Sequence, residues 1–472
     1  MLLAGNAAAA GVKHALVISI DGAHAIDVAL YAKHHPTSNL AQLQRRAIVY
    51  ANARQPLVGD STPGLLSIMT GGSPAATGLV YSPFYDRELS PAGSDCSARG
   101  ASYYVDEKWV KDMKREDSGG GIDPAKLPRD GAKGCTPVYP HQLMRVNTVF
   151  EVARQAGKRT AWIDQHEMYN DLLRGPSGNG LDESVALERK GVPQTLEGFI
   201  GQDGRRVDVL LRQIRGQDGG GKQVGVPAVF GMGFISFGAV QKSAGYKDGD
   251  ATPTEPLVKA LDFVDASVGR IVAELKARKL YDSTMIVLTA KHGQSPIDIQ
   301  QRRVIDRNVI RKAVNGVAPG LLAHASLDSI GLVYLKDSSR TAEVVAALRA
   351  KAGEAGIQKI YAGEQLQLLL PTRDSRMPDI VIQPQLGAFY TDDVEGDAAR
   401  ALLAEHGGTL DEDTHVPLIV SFPGAQGTVN RAQVQTSQVA PTVLAALGLN
   451  PNALKAVQLE GTPVLPGVKT GR

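Results

Sequence analysis

At 472 residues the chain is too long for one simple core, yet within reach of a single α/β enzyme domain that carries insertions. Its 51 basic residues against 49 acidic ones leave it close to neutral, which excludes a global field for duplex nucleic acid or an anionic membrane and makes any anion recognition local. An apolar content of 43%, with 51 glycines, 26 prolines and 5% aromatic residues, describes a globular, loop-rich protein, and no run approaches the ~18 apolar residues of a membrane span.

Residues 1–10, MLLAGNAAAA, have the Ala-rich character of a signal-peptide end without a basic leader, and are read as a disordered segment or leader remnant. Residues 11–472 are read as one domain. Strand-like runs follow at HALVISI (14–20), TAWI (160–163), PAVFGMGF (from Pro227), TMIVLT (from Thr284), PDIVIQP (from Pro378) and VPLIVSF (from Val416). Between them, amphipathic stretches from Asn39, Asn147 and Leu257 predict helices. Several of the apolar runs lack alternation, as strands buried on both faces do, so the pattern predicts a three-layer α/β/α sheet. Gly- and charge-rich residues 87–140 and 201–226 are read as surface insertions, and 298–375 as a second α/β-patterned insertion forming a small cap. Cys96 and Cys135 flank a segment that has no core of its own. A disulfide between them suits a secreted or periplasmic protein, two free thiols being the cytoplasmic alternative.

Three segments carry chemistry. Lys291-His292-Gly293 directly follows TMIVLT, so a cation and an imidazole emerge together at a strand's carboxyl edge, where open α/β sheets keep their sites. The first strand ends in Asp21-Gly22, a carboxylate followed by a residue that permits a sharp turn. In Asp60-Ser61-Thr62-Pro63-Gly64-Leu65-Leu66, Ser61 is expected at the N-cap and Pro63 in the first turn of a helix. A hydroxyl there feels the positive end of the helix dipole, which favours both an alkoxide nucleophile and an anionic substrate.

The blocks VISIDGAH, VGDSTPGLLSIMTGGSPAATGLVYSPFYD, DASVGRIVAELKARKLYDSTMIVLTAKHGQSP, EHGGTLDEDTHVPLIVSFPG and TSQVAPTVLAALGL resemble, in order, the alkaline phosphatase superfamily and within it the type I phosphodiesterase/nucleotide pyrophosphatase family. The resemblance implies a mixed sheet and a Ser or Thr nucleophile working with two divalent metals, usually zinc. It implies Ser61 as the nucleophile, with Thr62 one residue on as the alternative nucleophile and otherwise a substrate contact, and Asp21, His292 and His406 as metal ligands. Lys291 stands where the family has an Asp ligand. In the stretch matching the family's Pro-Asp-x-x-Gly-His, Phe237 falls near the Asp and Gln241 near the His, and Tyr81-Ser82-Pro83 occupies the region of a phosphoryl-binding Asn.

Asp21, His292 and His406 are therefore expected to hold one divalent ion, zinc, rather than two. A metal-free Ser61/Lys291/His292 site is the alternative, with Lys291 as base or as the cation on the phosphoryl oxygens. Gln241 and His415 are expected at the substrate. The function expected is hydrolysis of a phosphodiester or pyrophosphate, with a small phosphate ester or nucleotide as substrate, through a phosphoseryl intermediate. A catalytically reduced phosphate-ester-binding protein is the non-enzymatic alternative. A sulfatase is disfavoured because Leu65 stands where its Cys/Ser-x-Pro-x-Arg motif needs Arg.

Overall fold

Eight strands build the main sheet of the computed structural model, which describes residues 11–370, 374–392, 394 and 401–468; the expected leader remnant at 1–10 lies outside them. The strands are β1 (His14–Ile20), β2 (Ala47–Arg54), β3 (Ala161–Asp164), β4 (Glu183–Ala186), β5 (Val229–Phe234), β6 (Thr284–Thr289), β7 (Leu418–Ser421) and β8 (Thr428–Gln435). They are ordered β8-β2-β7-β6-β1-β5-β3-β4. β7 runs antiparallel to both its neighbours and the other pairs are parallel, so the sheet is mixed.

Alternate residues of β1 feed two separate cores. Ala15 and Val17 pack with Val287, Val420, Leu66 and Met69 on one face; Leu16, Ile18 and Ile20 pack with Phe230, Leu288, Leu261 and Val268 on the other. Helices cover both faces, giving the three layers, and each fully buried aliphatic side chain contributes ~1.5–3 kcal/mol. β2 and β8 lack a long apolar run, which is why their sequences give no strand signal. β8 is an edge strand with mostly exposed side chains.

Residues 201–214 correct the insertion expected at 201–226. They belong to α2 (Leu196–Ile214), which together with α1 (Ser61–Thr70), α3 (Ser236–Ala244) and α4 (Glu255–Ala277) is used below. The misleading charges are internal: Arg206 and Asp203 are both fully buried and paired at 2.7 Å, and Asp203 also accepts the Ser236 N–H at 2.8 Å. The PDIVIQP run joins a smaller antiparallel sheet, ordered Leu322–Leu327, Gly331–Leu335, Ile380–Pro384, Ile357–Ala362, with its own core around Val333, Leu348, Ile380 and Ile382.

Cys96 and Cys135 form a disulfide across 39 residues. Closing a loop of that length restricts the unfolded chain, so the Cys96→Ser/Cys135→Ser variant is expected to unfold with ~4 kcal/mol less free energy, measured by urea titration of both proteins without reductant. No helix among the described residues is long and apolar enough to cross a membrane.

Candidate active site

Register alone brings the first two groups together. β1 and β6 are parallel with Ser19 opposite Thr289, so Asp21 and Lys291, each two residues further on, leave the sheet side by side. Gly22, at φ +75°, then turns the chain away. α1 completes the site from above. Asp60 caps it, accepting the Thr62 N–H at 3.3 Å, and Gly64 lets its first turn press on the strand exit, since a Cβ there would lie 1.9 Å from the Lys291 carbonyl oxygen.

Ser61 thereby sits with its Oγ 3.0 Å from His292 Nε2, which is itself 2.9 Å from Asp21 Oδ1. His292 Nδ1 lies 2.8 Å from the Gly293 carbonyl oxygen, which can only accept, so Nδ1 carries a proton and Nε2 is the ring nitrogen that meets both Ser61 and Asp21. Lys291 Nζ lies 3.6 Å from Asp21 Oδ2 and 4.9 Å from the Tyr169 ring centre, with its side chain 4% exposed. Burial pushes the Asp21 carboxyl up, but Lys291 and then His292 more than reverse this and hold it well below the usual carboxylate range. The site is therefore a carboxylate and a hydroxyl converging on one imidazole nitrogen, with Lys291 beneath.

His406 lies flat on His292, ring centres 3.8 Å apart and planes 10° apart. Its Nδ1 faces Glu405 Oε1 at 3.0 Å and Gln294 Oε1 at 3.4 Å, and Lys242 pairs with the same Glu405 oxygen. Burial, then His292 and Lys242, hold the His406 imidazole down at about 3, so it is neutral.

The expected one-zinc ligand set does not fit this arrangement. Imidazole lone pairs lie in the ring plane, so two parallel stacked rings cannot point at one ion. A tetrahedral zinc with ~2.0–2.1 Å bonds keeps its ligand atoms about 3.3 Å apart. Asp21, His292 and Ser61 instead touch at hydrogen-bond spacing, 2.9 and 3.0 Å, with an ammonium at the next corner. Among the described residues no group of three or more His, Cys, Asp or Glu side chains converges to hold a metal ion.

The other expected contacts separate. Gln241 is fully buried away from the cleft, its Nε2 donating to Tyr246 Oη at 2.6 Å and its Oε1 accepting from Gln294. Phe237 is fully buried in the core beneath. The i, i+4 pair of α3 that lines the cleft is Gly238 and Lys242, one residue on from the pair read from the sequence. Thr62 is fully buried, so only Ser61 of the two hydroxyls lines the cleft. His415 lies elsewhere, its Nε2 3.1 Å from the Ala51 carbonyl oxygen, in an apolar groove with Ile26 and Pro417.

Around Ser61 the cleft is walled by Asp60, Ser82, Asp106, Gln165, His166, Tyr169, Arg189 and Gln294. Tyr169, on the helix Glu167–Leu173, has no signal in the sequence; Gln165 and His166 directly follow β3, between it and that helix. Asp60 is pushed up to about 7, by burial and then by Asp328, against the Thr62, Ser61 and Ser82 N–H groups. A carboxyl raised in this way binds its proton more tightly folded than unfolded, so its contribution is present below pH ~4 and is lost as the pH rises toward 7. Asp60→Asn keeps a side-chain oxygen for the cap but has nothing to ionise. Its urea midpoint is expected to match the wild type near pH 4 and exceed it at pH 8.

Two solved structures of murine ectonucleotide pyrophosphatase/phosphodiesterase 5 share the fold. One matches with a TM-score of 0.62 and 15% identity over 93% of this chain and 96% of the other. The second, an inactive threonine-to-alanine variant in complex with AMP, matches with a TM-score of 0.63 and 14% identity over 94% and 96%. A search of curated proteins finds no match. The family model for type I phosphodiesterase / nucleotide pyrophosphatase matches residues 15–409, and the chain belongs to that family.

Proposed function

We propose that the protein hydrolyses phosphodiester or pyrophosphate bonds with Ser61 as nucleophile. The observation that supports this most is the Ser61 Oγ to His292 Nε2 contact of 3.0 Å at a helix N-terminus in the cleft. Ser61 Oγ forms the new bond to phosphorus while its proton passes to His292 Nε2. The leaving oxygen departs with its bonding pair and takes a proton from solvent. Once protonated, Nε2–H has Asp21 Oδ1 as its acceptor, 2.9 Å away. Water then attacks phosphorus and gives one proton to solvent, the phosphorus–Ser61 bond breaks with its pair on Ser61 Oγ, and His292 returns its proton to that oxygen. Lys291 acts one layer down, fixing Asp21 and adding positive charge under the developing oxyanion.

A nucleotide is the substrate class proposed, on the support of the family and of the AMP complex of the structural relative. The Cys96–Cys135 disulfide supports an oxidising, secreted location. Rapid acid quench of an aryl phosphodiester reaction, followed by peptide mass spectrometry, should find the phosphoryl adduct on Ser61. Turnover with an adduct elsewhere, or with none under trapping conditions, would refute the mechanism; adduct without turnover would mark a protein reduced to phosphate-ester binding.

A further inference from the structure

We propose that two ammonium groups, Lys242 and Lys291, take the places of the family's two metal ions, and that Lys242 is the cation that binds the phosphoryl oxygens. This rests on the hydrolase reading of the same cleft.

The site contains two copies of one unit. Lys291 pairs with Asp21, which contacts His292; Lys242 pairs with Glu405, which contacts His406. The two imidazoles stack face to face, so the units lie back to back across a ring spacing of 3.8 Å. Each lysine stands at or next to a ligand position. Lys291 replaces the Asp before His292. Lys242, four residues after Gly238, occupies the cleft face of α3 one residue on from Gln241, the position that the resemblance matches to the motif's His. No carboxylate can return at Gly238, because a Cβ there would lie 2.7 Å from the Asp21 carbonyl oxygen. The space beyond His406 is filled by amides: Gln294 donates to Gln241 and to the Gly238 carbonyl oxygen, the latter at 2.9 Å.

The two lysines differ in access. Lys291 is sealed, 3% exposed, under Asp21 and Tyr169. The Lys242 side chain is 22% exposed and lines the cleft with Ser61, Asp21 and His406. An ammonium offers three donors on a flexible stem, so it can keep Glu405 and still give a hydrogen bond to a phosphoryl oxygen. That supplies a neutralising charge where a metal would have supplied Lewis acidity.

The test uses the whole purified protein, chelator-treated and then dialysed, with metal content measured by elemental mass spectrometry. Substoichiometric zinc with undiminished turnover of an aryl phosphodiester is expected, and added zinc should not raise the rate. Lys242→Met should weaken inorganic phosphate binding to the metal-free protein by about 10- to 100-fold, the scale of a charge-assisted hydrogen bond, while Lys242→Arg retains most of it. Turnover that disappears with chelation and returns with zinc overturns the inference and leaves the hydrolase reading standing. Absence of turnover with and without metal sinks the hydrolase reading instead. The inference on Lys242 is then decided by phosphate binding alone, and equal affinity in wild type and Lys242→Met, both folded by circular dichroism, overturns it.

Discussion

Ser61→Ala should lower kcat/KM on an aryl phosphodiester by at least ~10³-fold, the scale of losing a nucleophile, while the protein stays folded. The fold should survive because Asp60, not Ser61, caps α1 through the Thr62 N–H, and because only one oxygen of a nearly buried side chain is lost. The adjacent hydroxyl, Thr62, cannot replace it. Thr62 is fully buried and absent from the cleft lining, and its Oγ1 has no hydrogen-bond partner among the described residues. Ser61→Thr keeps an oxygen but adds a methyl group to a buried site beside His292, so a loss of ~10–100-fold is expected there. The pair is informative together: steady-state rates with matched urea midpoints separate loss of the nucleophile from loss of structure. Full activity in Ser61→Ala would remove Ser61 from the mechanism.

How far the sequence led depended on which geometry it encodes. Strand ends are well encoded: HALVISI and TMIVLT stop where the structure stops them, and their parallel register then forces Asp21 and Lys291 together. A helix start signalled by Ser61 and Pro63 needed only a short loop to reach that edge, with the cap falling one residue earlier than read, on Asp60. The glycine at position 64, read only as part of a capped helix, proved to be what lets helix and strand exit touch. The mixed α/β/α layering was likewise legible, because residues alternating between two apolar faces leave unbroken hydrophobic runs.

Helix phase is less well encoded. On α3 one residue is a rotation of 100°, so assigning the cleft-facing pair to Phe237 and Gln241 instead of Gly238 and Lys242 exchanges a buried amide for an available ammonium. Nothing in the apolar spacing of that short helix decides between them; contact with the Asp21-Gly22 turn does. His292 and His406 were recognised by resemblance, but their stacking, which prevents a shared ion, is a property of three-dimensional approach between segments more than a hundred residues apart. α2 misled in the opposite direction, since Asp203 and Arg206 look like surface charge until their mutual pairing is seen.

Lys291→Met should reduce kcat by ~10²-fold and cost ~1–3 kcal/mol of stability. A fully buried ion pair broken on one side typically costs 3–5 kcal/mol, but the Asp21 side chain is 16% exposed and keeps His292, so a smaller loss is expected. The sign of the pH dependence follows from Asp21. Its carboxyl is held well below the ordinary range, against burial, chiefly by Lys291. That stabilisation is present above the unfolded value near pH 4 and is lost as the pH falls through the lower folded value. Without the ammonium the folded value rises, so the variant should lose stability at a higher pH than the wild type on acidification. A purely structural role for Lys291 makes a different forecast once Asp21 is neutralised. In Lys291→Met/Asp21→Asn the buried charge is gone and stability should return to within ~1 kcal/mol of wild type, a coupling that a double-mutant cycle reads directly. Activity should stay low in the double variant, because the positive charge beneath Ser61 and the acceptor for protonated His292 are both missing. Recovery of turnover along with stability would reduce Lys291 to a packing partner of Asp21 and leave Lys242 as the sole ammonium acting on the phosphoryl group.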